Sequence, residues 1–148
     1  MYVHSLILLA EPPAPSGYDP PTLGRVQDAV LVVPAFPYSH LAGAYLELAG
    51  EPEDDGDFEI EVGLAFAPPG QDDPQFSDQG VVYSTTLPVS AAEPGFWMHR
   101  RYGLMFEVDL VLYGEADVLF SVYVNGEQGL DTSLAIYEVP GAPPLSGE

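Results

Sequence analysis

A chain of 148 residues without cysteine is one domain by length, able to bury roughly 70% of its unfolded surface, and has no disulfide, thiolate nucleophile or cysteine-bound zinc. Its 23 acids face three arginines (Arg25, Arg100 and Arg101) and no lysine, a formal charge of −20. Such a field repels phosphates, which argues against nucleic acid and anionic membrane as partners and favours a basic protein, whose approach it would steer.

In chain order, "MYVHSLILLAEPPAP" opens with an apolar run over 2–9 that has no basic flank or small-residue cleavage site and is too short to span a bilayer. It predicts a first strand and a soluble, cytoplasmic chain. "EPPAPSGYDPPT" at 11–22 predicts an extended loop inside the domain, followed by a strand at about 25–33. In "PAFPYSH" at 34–40, Pro34 and Pro37 stiffen a loop that would expose Phe36 and Tyr38, and a further strand is expected at 42–49.

The stretch "EPEDDGDFEIEVGLAF" at 51–66 admits three readings. Asp54, Asp55 and Asp57 around Gly56, joined by Asp72, Asp73 and Asp78, could offer calcium the oxygens it needs, although the spacing is not that of an EF-hand loop. Glu59 with Glu61, and Glu107 with Asp109, repeat charge at about 6.7 Å along a strand face, close to the spacing of phosphates in nucleic acid, which allows an acidic nucleic-acid mimic. The plainest reading is an Asp-Gly hairpin turn between the strands at 42–49 and 58–66, its acids in water and no metal bound.

From Phe58 the period is two: Phe58, Ile60, Val62, Leu64 and Phe66 on one face, Glu59 and Glu61 on the other. A strand at 80–88 follows. "PGFWMHRRYG" at 94–103 then brings together Phe96, Trp97, Arg100, Arg101 and Tyr102, the residue types that dominate binding hot spots. With Phe36 and Tyr38 they form the expected partner-binding set. The competing reading places Trp97 over the core and lets the two arginines neutralise nearby carboxylates.

The alternation returns at 104–112, with Leu104, Phe106, Val108, Leu110 and Leu112 inward, and at 117–124, with Val118, Phe120, Val122 and Val124 inward. "NGEQG" at 125–129 follows, and Asn-Gly between β-rich runs predicts a hairpin pairing 117–124 with about 130–138. Sixteen prolines in the gaps suit turns and strand edges. The expected fold is all-β: an antiparallel β-sandwich of about eight strands over residues 1–139, with 140–148 as a flexible tail.

The strand "VHSLILLA", the P-x-F-P-x-x-H element "PAFPYSH" and the hairpin near "VNGE" resemble an uncharacterised bacterial family of about this length, a domain of unknown function. The chain departs from that pattern in the proline-rich loop 11–22. The resemblance implies an all-β, immunoglobulin-like, intracellular domain and no catalytic residue.

No nucleophile elbow, phosphate-cradling glycine loop or zinc-protease motif occurs. His4, His40 and His99 lie far apart in sequence, and a lone histidine on a strand is more often structural than a zinc ligand. The chemistry-bearing residues thus predict a non-enzymatic, cofactor-free protein-interaction domain. The alternative is a β-sandwich that binds carbohydrate on Tyr83, Trp97 or Tyr123 and calcium in its acidic loops.

Overall fold

The computed structural model describes residues 1–10, 12, 30–72, 75–91 and 100–143. Among them the regular structure is entirely β, in eight strands: β1 (Tyr2–Leu9), β2 (Val30–Val33), β3 (Tyr38–Gly50), β4 (Gly56–Ala67), β5 (Ser77–Val89), β6 (Arg100–Leu112), β7 (Ala116–Val124) and β8 (Glu127–Glu138). Each expected strand is present. β2 is described only from Val30, so 25–29 lie outside the described residues, as do 13–22 of the expected loop and 144–148 of the expected tail.

The strands form two sheets, one of order β1-β3-β6 and one of order β2-β8-β7-β4-β5. The alternating residues do what their period requires, since Ile60, Val62, Val118 and Val122 are fully buried while Glu59 and Glu61 are exposed. Inward residues of both sheets, among them Leu46 and Phe106 from one and Ile60, Phe120 and Ile136 from the other, share one apolar core. Tyr83 of β5 and Phe106 of β6 join the sheets at one margin, with ring centroids 4.1 Å apart and planes within 6°.

Two expectations are corrected. The fold is not antiparallel throughout, because β2 pairs parallel with β8, making the larger sheet mixed. Nor do β3 and β4 form a hairpin: β3 pairs with β1 and β6, whereas β4 pairs with β5 and β7. The acidic segment 51–55 is therefore a crossing from one sheet to the other. The hairpin expected at Asn125-Gly126 is present, with φ of 49° and 81° at the two turn residues and β7 and β8 antiparallel on either side.

Candidate functional site

The crossing at 51–55 is a bonded corner, and its acids do not all point into water. The Asp54 carboxylate accepts from the Met1 α-ammonium, with which it forms an ion pair, and from the Glu51 N–H at 2.8 Å. Asp55 accepts from the Ala91 N–H at 3.1 Å. Burial works to raise the Asp54 carboxyl, but the ammonium, the Glu51 N–H and the nearby Arg100 charge outweigh it and hold its pKa below the ordinary value. Among the described residues no group of three or more carboxylates and histidines is arranged to hold a metal.

Arg100 belongs to the same corner. Its Nη2 donates to the backbone carbonyls of Glu51 at 3.3 Å and Asp54 at 3.1 Å. The expectation that it neutralises carboxylates is thus only part of its role, because its hydrogen bonds tie down the crossing. Arg101 points the other way, 58% exposed, and pairs with Glu47 across the β3–β6 ladder, with the exposed His4 4.0 Å from the same carboxylate.

The remaining members of the expected partner-binding set do not join them. Tyr102 is half-buried and packs against the core, as do Phe36 and Tyr38. Tyr38 pairs with Leu112 and Gly50 pairs with Arg100, so the two groups sit at opposite ends of β3, roughly 40 Å apart at 3.3 Å per residue. Phe96 and Trp97 lie outside the described residues. Tyr83, expected among sugar-stacking aromatics, is committed to its stack with Phe106. The carboxylate pairs Glu59/Glu61 and Glu107/Asp109 stand on different sheets and make no common array.

What the structure does gather is an apolar row that the sequence reading passed over. Across the outer face of the three-stranded sheet, Ile7 pairs with Tyr45 and Tyr45 with Met105, all three half-buried and none part of the core. Leu41 (45% exposed) on β3 and Val111 (38% exposed) on β6 are further apolar residues of that face, with Gly43 between Leu41 and Tyr45 along β3. Gly103 makes space for it: a Cβ there would stand 2.7 Å from the Tyr45 hydroxyl, so the Tyr45 ring lies flat over β6. Glu47, Arg101, Glu107 and Asp109 alternate onto the same face of β3 and β6, where Glu107 and Asp109 separate Met105 from Val111. The signal in the sequence is "HLAGAYLEL" at 40–48, a strand with apolar residues on both faces.

Among the described residues no helix is long and apolar enough to cross a membrane. No family model matches the chain, and no curated protein matches it. A solved structure with a similar course is the Pseudomonas fluorescens alkylpurine DNA glycosylase AlkC bound to DNA containing an abasic site analog, at 13% identity and a TM-score of 0.43 over 92% of this chain and 30% of that one. The present chain thus spans less than a third of that protein's length.

Proposed function

We propose that the chain is a non-enzymatic acidic protein-interaction domain of the bacterial cytoplasm, related to the uncharacterised family its strands resemble. In this reading its two sheets form an immunoglobulin-like β-sandwich, and its partner docks on the outer face of the three-stranded sheet. The observation that carries the proposal is the row Ile7–Tyr45–Met105 with Leu41 and Val111. The outer face of a sheet whose other face is core is ordinarily polar, and apolar residues placed there among charged ones offer a surface of the kind that partners cover.

Charge narrows the partner. Glu107 and Asp109 stand between Met105 and Val111 on this face and the chain carries −20 overall, so a partner with basic groups interleaved among its apolar ones is steered in and oriented. The test is capture from a bacterial lysate on the immobilised domain, repeated with Leu41→Asp plus Met105→Glu and with Val30→Asp, an exposed residue of the other sheet. Retention of the same protein by wild type and Val30→Asp, with loss by the double variant at unchanged melting temperature, supports the proposal. Capture that ignores the double variant overturns it.

A further inference from the structure

At the end of the molecule where β4 and β6 finish and β5 and β7 begin, a groove of about 380 Å³ opens, lined by Phe66, Pro68, Pro69, Leu112, Tyr113 and Glu115 among others. The sequence accounts for its lining. Leu112 is the last inward residue of β6 and only 1% exposed, so the groove reaches down to the shared core. Tyr113 follows in the turn to β7 and, at 79%, is more exposed than any other large hydrophobic residue described. On the β4 side the chain leaves the ladder through Pro68 and Pro69, which have no N–H with which to continue it, and Gly70 turns it at a φ of 72°. No residue of the apolar row about Tyr45 lines this groove, so it stands apart from the docking face proposed above.

Two properties of the lining say what it suits. The first is a set of apolar faces with the Tyr113 hydroxyl among them. A segment laid against Phe66, Pro68, Pro69 and Leu112 finds no acceptor in those four side chains, and a backbone N–H turned toward them would go unsatisfied. Proline brings no N–H, keeps a carbonyl for the tyrosine hydroxyl, and holds a polyproline II helix that is already formed before binding. The second property is charge. Glu115 is exposed in the lining, and the two described arginines are engaged elsewhere, Arg100 at the 51–55 crossing and Arg101 with Glu47, which leaves Glu115 to a cation from outside. The chain's own proline-rich stretches, "EPPAPSGYDPPT" and "PGAPPLSGE", carry acids and no cation, so neither they nor those of a second copy complete the fit.

We propose that the groove binds a proline-rich segment of a partner protein, in polyproline II form and with an arginine or lysine beside the prolines. Proline rings pack against Phe66, Pro69 and Tyr113, the Tyr113 hydroxyl donates to a peptide carbonyl, and Glu115 pairs with the flanking cation. Grooves lined by aromatic rings are the recurring surface for such segments, whose preformed helix keeps the entropy cost of binding low. The net charge of −20 turns away acidic segments and draws basic ones, which gives the flanking cation a part in selection as well as in affinity.

The experiment is amide NMR titration of the intact chain with three blocked peptides: one arginine followed by six prolines, one glutamate followed by six prolines, and one arginine followed by six glycines. Saturable shifts centred on Phe66, Ala67, Tyr113, Gly114 and Ala116 are expected with the first, and binding at least about fivefold weaker with the other two. Tyr113→Ala, a change at an exposed turn residue, should weaken the first peptide roughly tenfold or more at unchanged melting temperature. Glu115→Gln should weaken it about threefold, the size of an exposed ion pair, and should not weaken the glutamate peptide. Tyr2→Ala, an exposed tyrosine on β1 at the opposite end of the three-stranded sheet, should change binding less than about twofold. Equal response to the arginine–glycine peptide would reduce the effect to attraction of a cation by an acidic chain and overturn the proposal. So would equal weakening by Tyr113→Ala and Tyr2→Ala, or silence of these amides toward every peptide. Shifts that follow protein concentration alone would give the groove to a second copy, and movement of the 140–148 amides by Tyr113→Ala without peptide binding would give it to the chain's own segment. Either result overturns the assignment to a partner.

Discussion

Asn125 and Glu59 are joined by two hydrogen bonds of 2.8 Å, the Asn125 N–H donating to the Glu59 carbonyl and the Glu59 N–H donating to the Asn125 Oδ1. The turn residue thereby adds a rung to the β4–β7 ladder one step beyond Ile60–Val124. Glu59 in turn accepts from the Thr86 hydroxyl on β5, so a single position links three strands. Asn125→Ala removes an acceptor worth about 1 kcal/mol and places an ordinary residue at positive φ for roughly 1 kcal/mol more. Urea unfolding should show a loss of about 2 kcal/mol. Asn125→Gly keeps the backbone and should lose only about half of that. Equal losses in the two variants would place the whole effect in the side-chain bond.

The same residues show how far the sequence could be read. Alternation assigns each residue to a face, and Asn-Gly assigns two adjacent strands to each other, so the eight strands, their inward residues and the β7–β8 hairpin were all legible. Alternation does not say which strand lies alongside. The placing of β3 and β4 in different sheets, and of β2 parallel to β8, rests on contacts between residues distant in the chain. The site was less legible for a similar reason. Arg100 has the chemistry of a hot spot, but its hydrogen bonds go to backbone carbonyls, and Pro68 and Tyr113 have no common signature until the fold brings the ends of β4 and β6 to one groove.

The stack of Tyr83 on Phe106 is the described ring contact between the two sheets. Phe106 is buried, and Phe106→Ala should cost about 3–5 kcal/mol through lost burial and the cavity left behind. Tyr83 is only half-buried, so Tyr83→Leu should cost less. A double-mutant cycle with Tyr83→Leu and Phe106→Leu isolates the ring-on-ring part, expected at about 0.5–1.5 kcal/mol of coupling. Additive losses would mean that the pair contributes burial and nothing specific to two rings.

Two groups give stability a pH dependence. Burial lowers the pKa of His40 from its ordinary value against a smaller opposing effect of the Ala10 backbone, and its Nε2 is buried without a hydrogen-bond partner. A folded pKa below the unfolded value of about 6.5 means that the unfolded chain takes the proton first, so the contribution is complete above pH 6.5 and is lost as pH falls through the folded value. Asp54 has the same sign lower down, its contribution complete above about pH 3.9 and lost as pH falls through its depressed folded value. Melting should therefore be level from pH 8 to 7 and decline below about 6.5, before carboxylate protonation begins to relieve repulsion. His40→Leu should flatten that decline, and a slope unchanged in this variant would assign it to another group.

Salt should act in the opposite direction from its usual effect on ion pairs. Twenty uncompensated negative charges repel one another in the compact state, and 0.1 M salt screens them beyond about 10 Å. The exposed pair Arg101–Glu47 is weakened by the same screening but contributes at most about 1 kcal/mol. The melting temperature should therefore rise between low and molar potassium chloride. A fall would show that local pairs such as those of Arg101 and Asp54 outweigh the net repulsion.

Two exposed strand glycines should answer the same substitution differently. At Gly103 an added Cβ meets the far end of Tyr45, 2.7 Å from its hydroxyl and 2.9 Å from Cε2. A ring on a flexible stem can swing away, and the removal of a strand glycine returns roughly 0.5–1 kcal/mol, so Gly103→Ala should melt within about 1 kcal/mol of wild type. At Gly129 the Cβ meets Val3, 2.7 Å from Cγ2 and 3.3 Å from Cβ, in a side chain that is stiff and packed against the core. Gly129→Ala should cost about 1–3 kcal/mol as an overpacked site. The pair also separates stability from function. Gly103→Ala lifts the Tyr45 ring off β6 and disrupts the row between Ile7 and Met105, so a partner docking there should be lost from a chain that is still folded. Gly129→Ala should lower the melting temperature yet keep the partner at temperatures where the chain remains folded. If Gly103→Ala instead moved Tyr45 and kept the partner, the outer face of the three-stranded sheet would not be the docking surface.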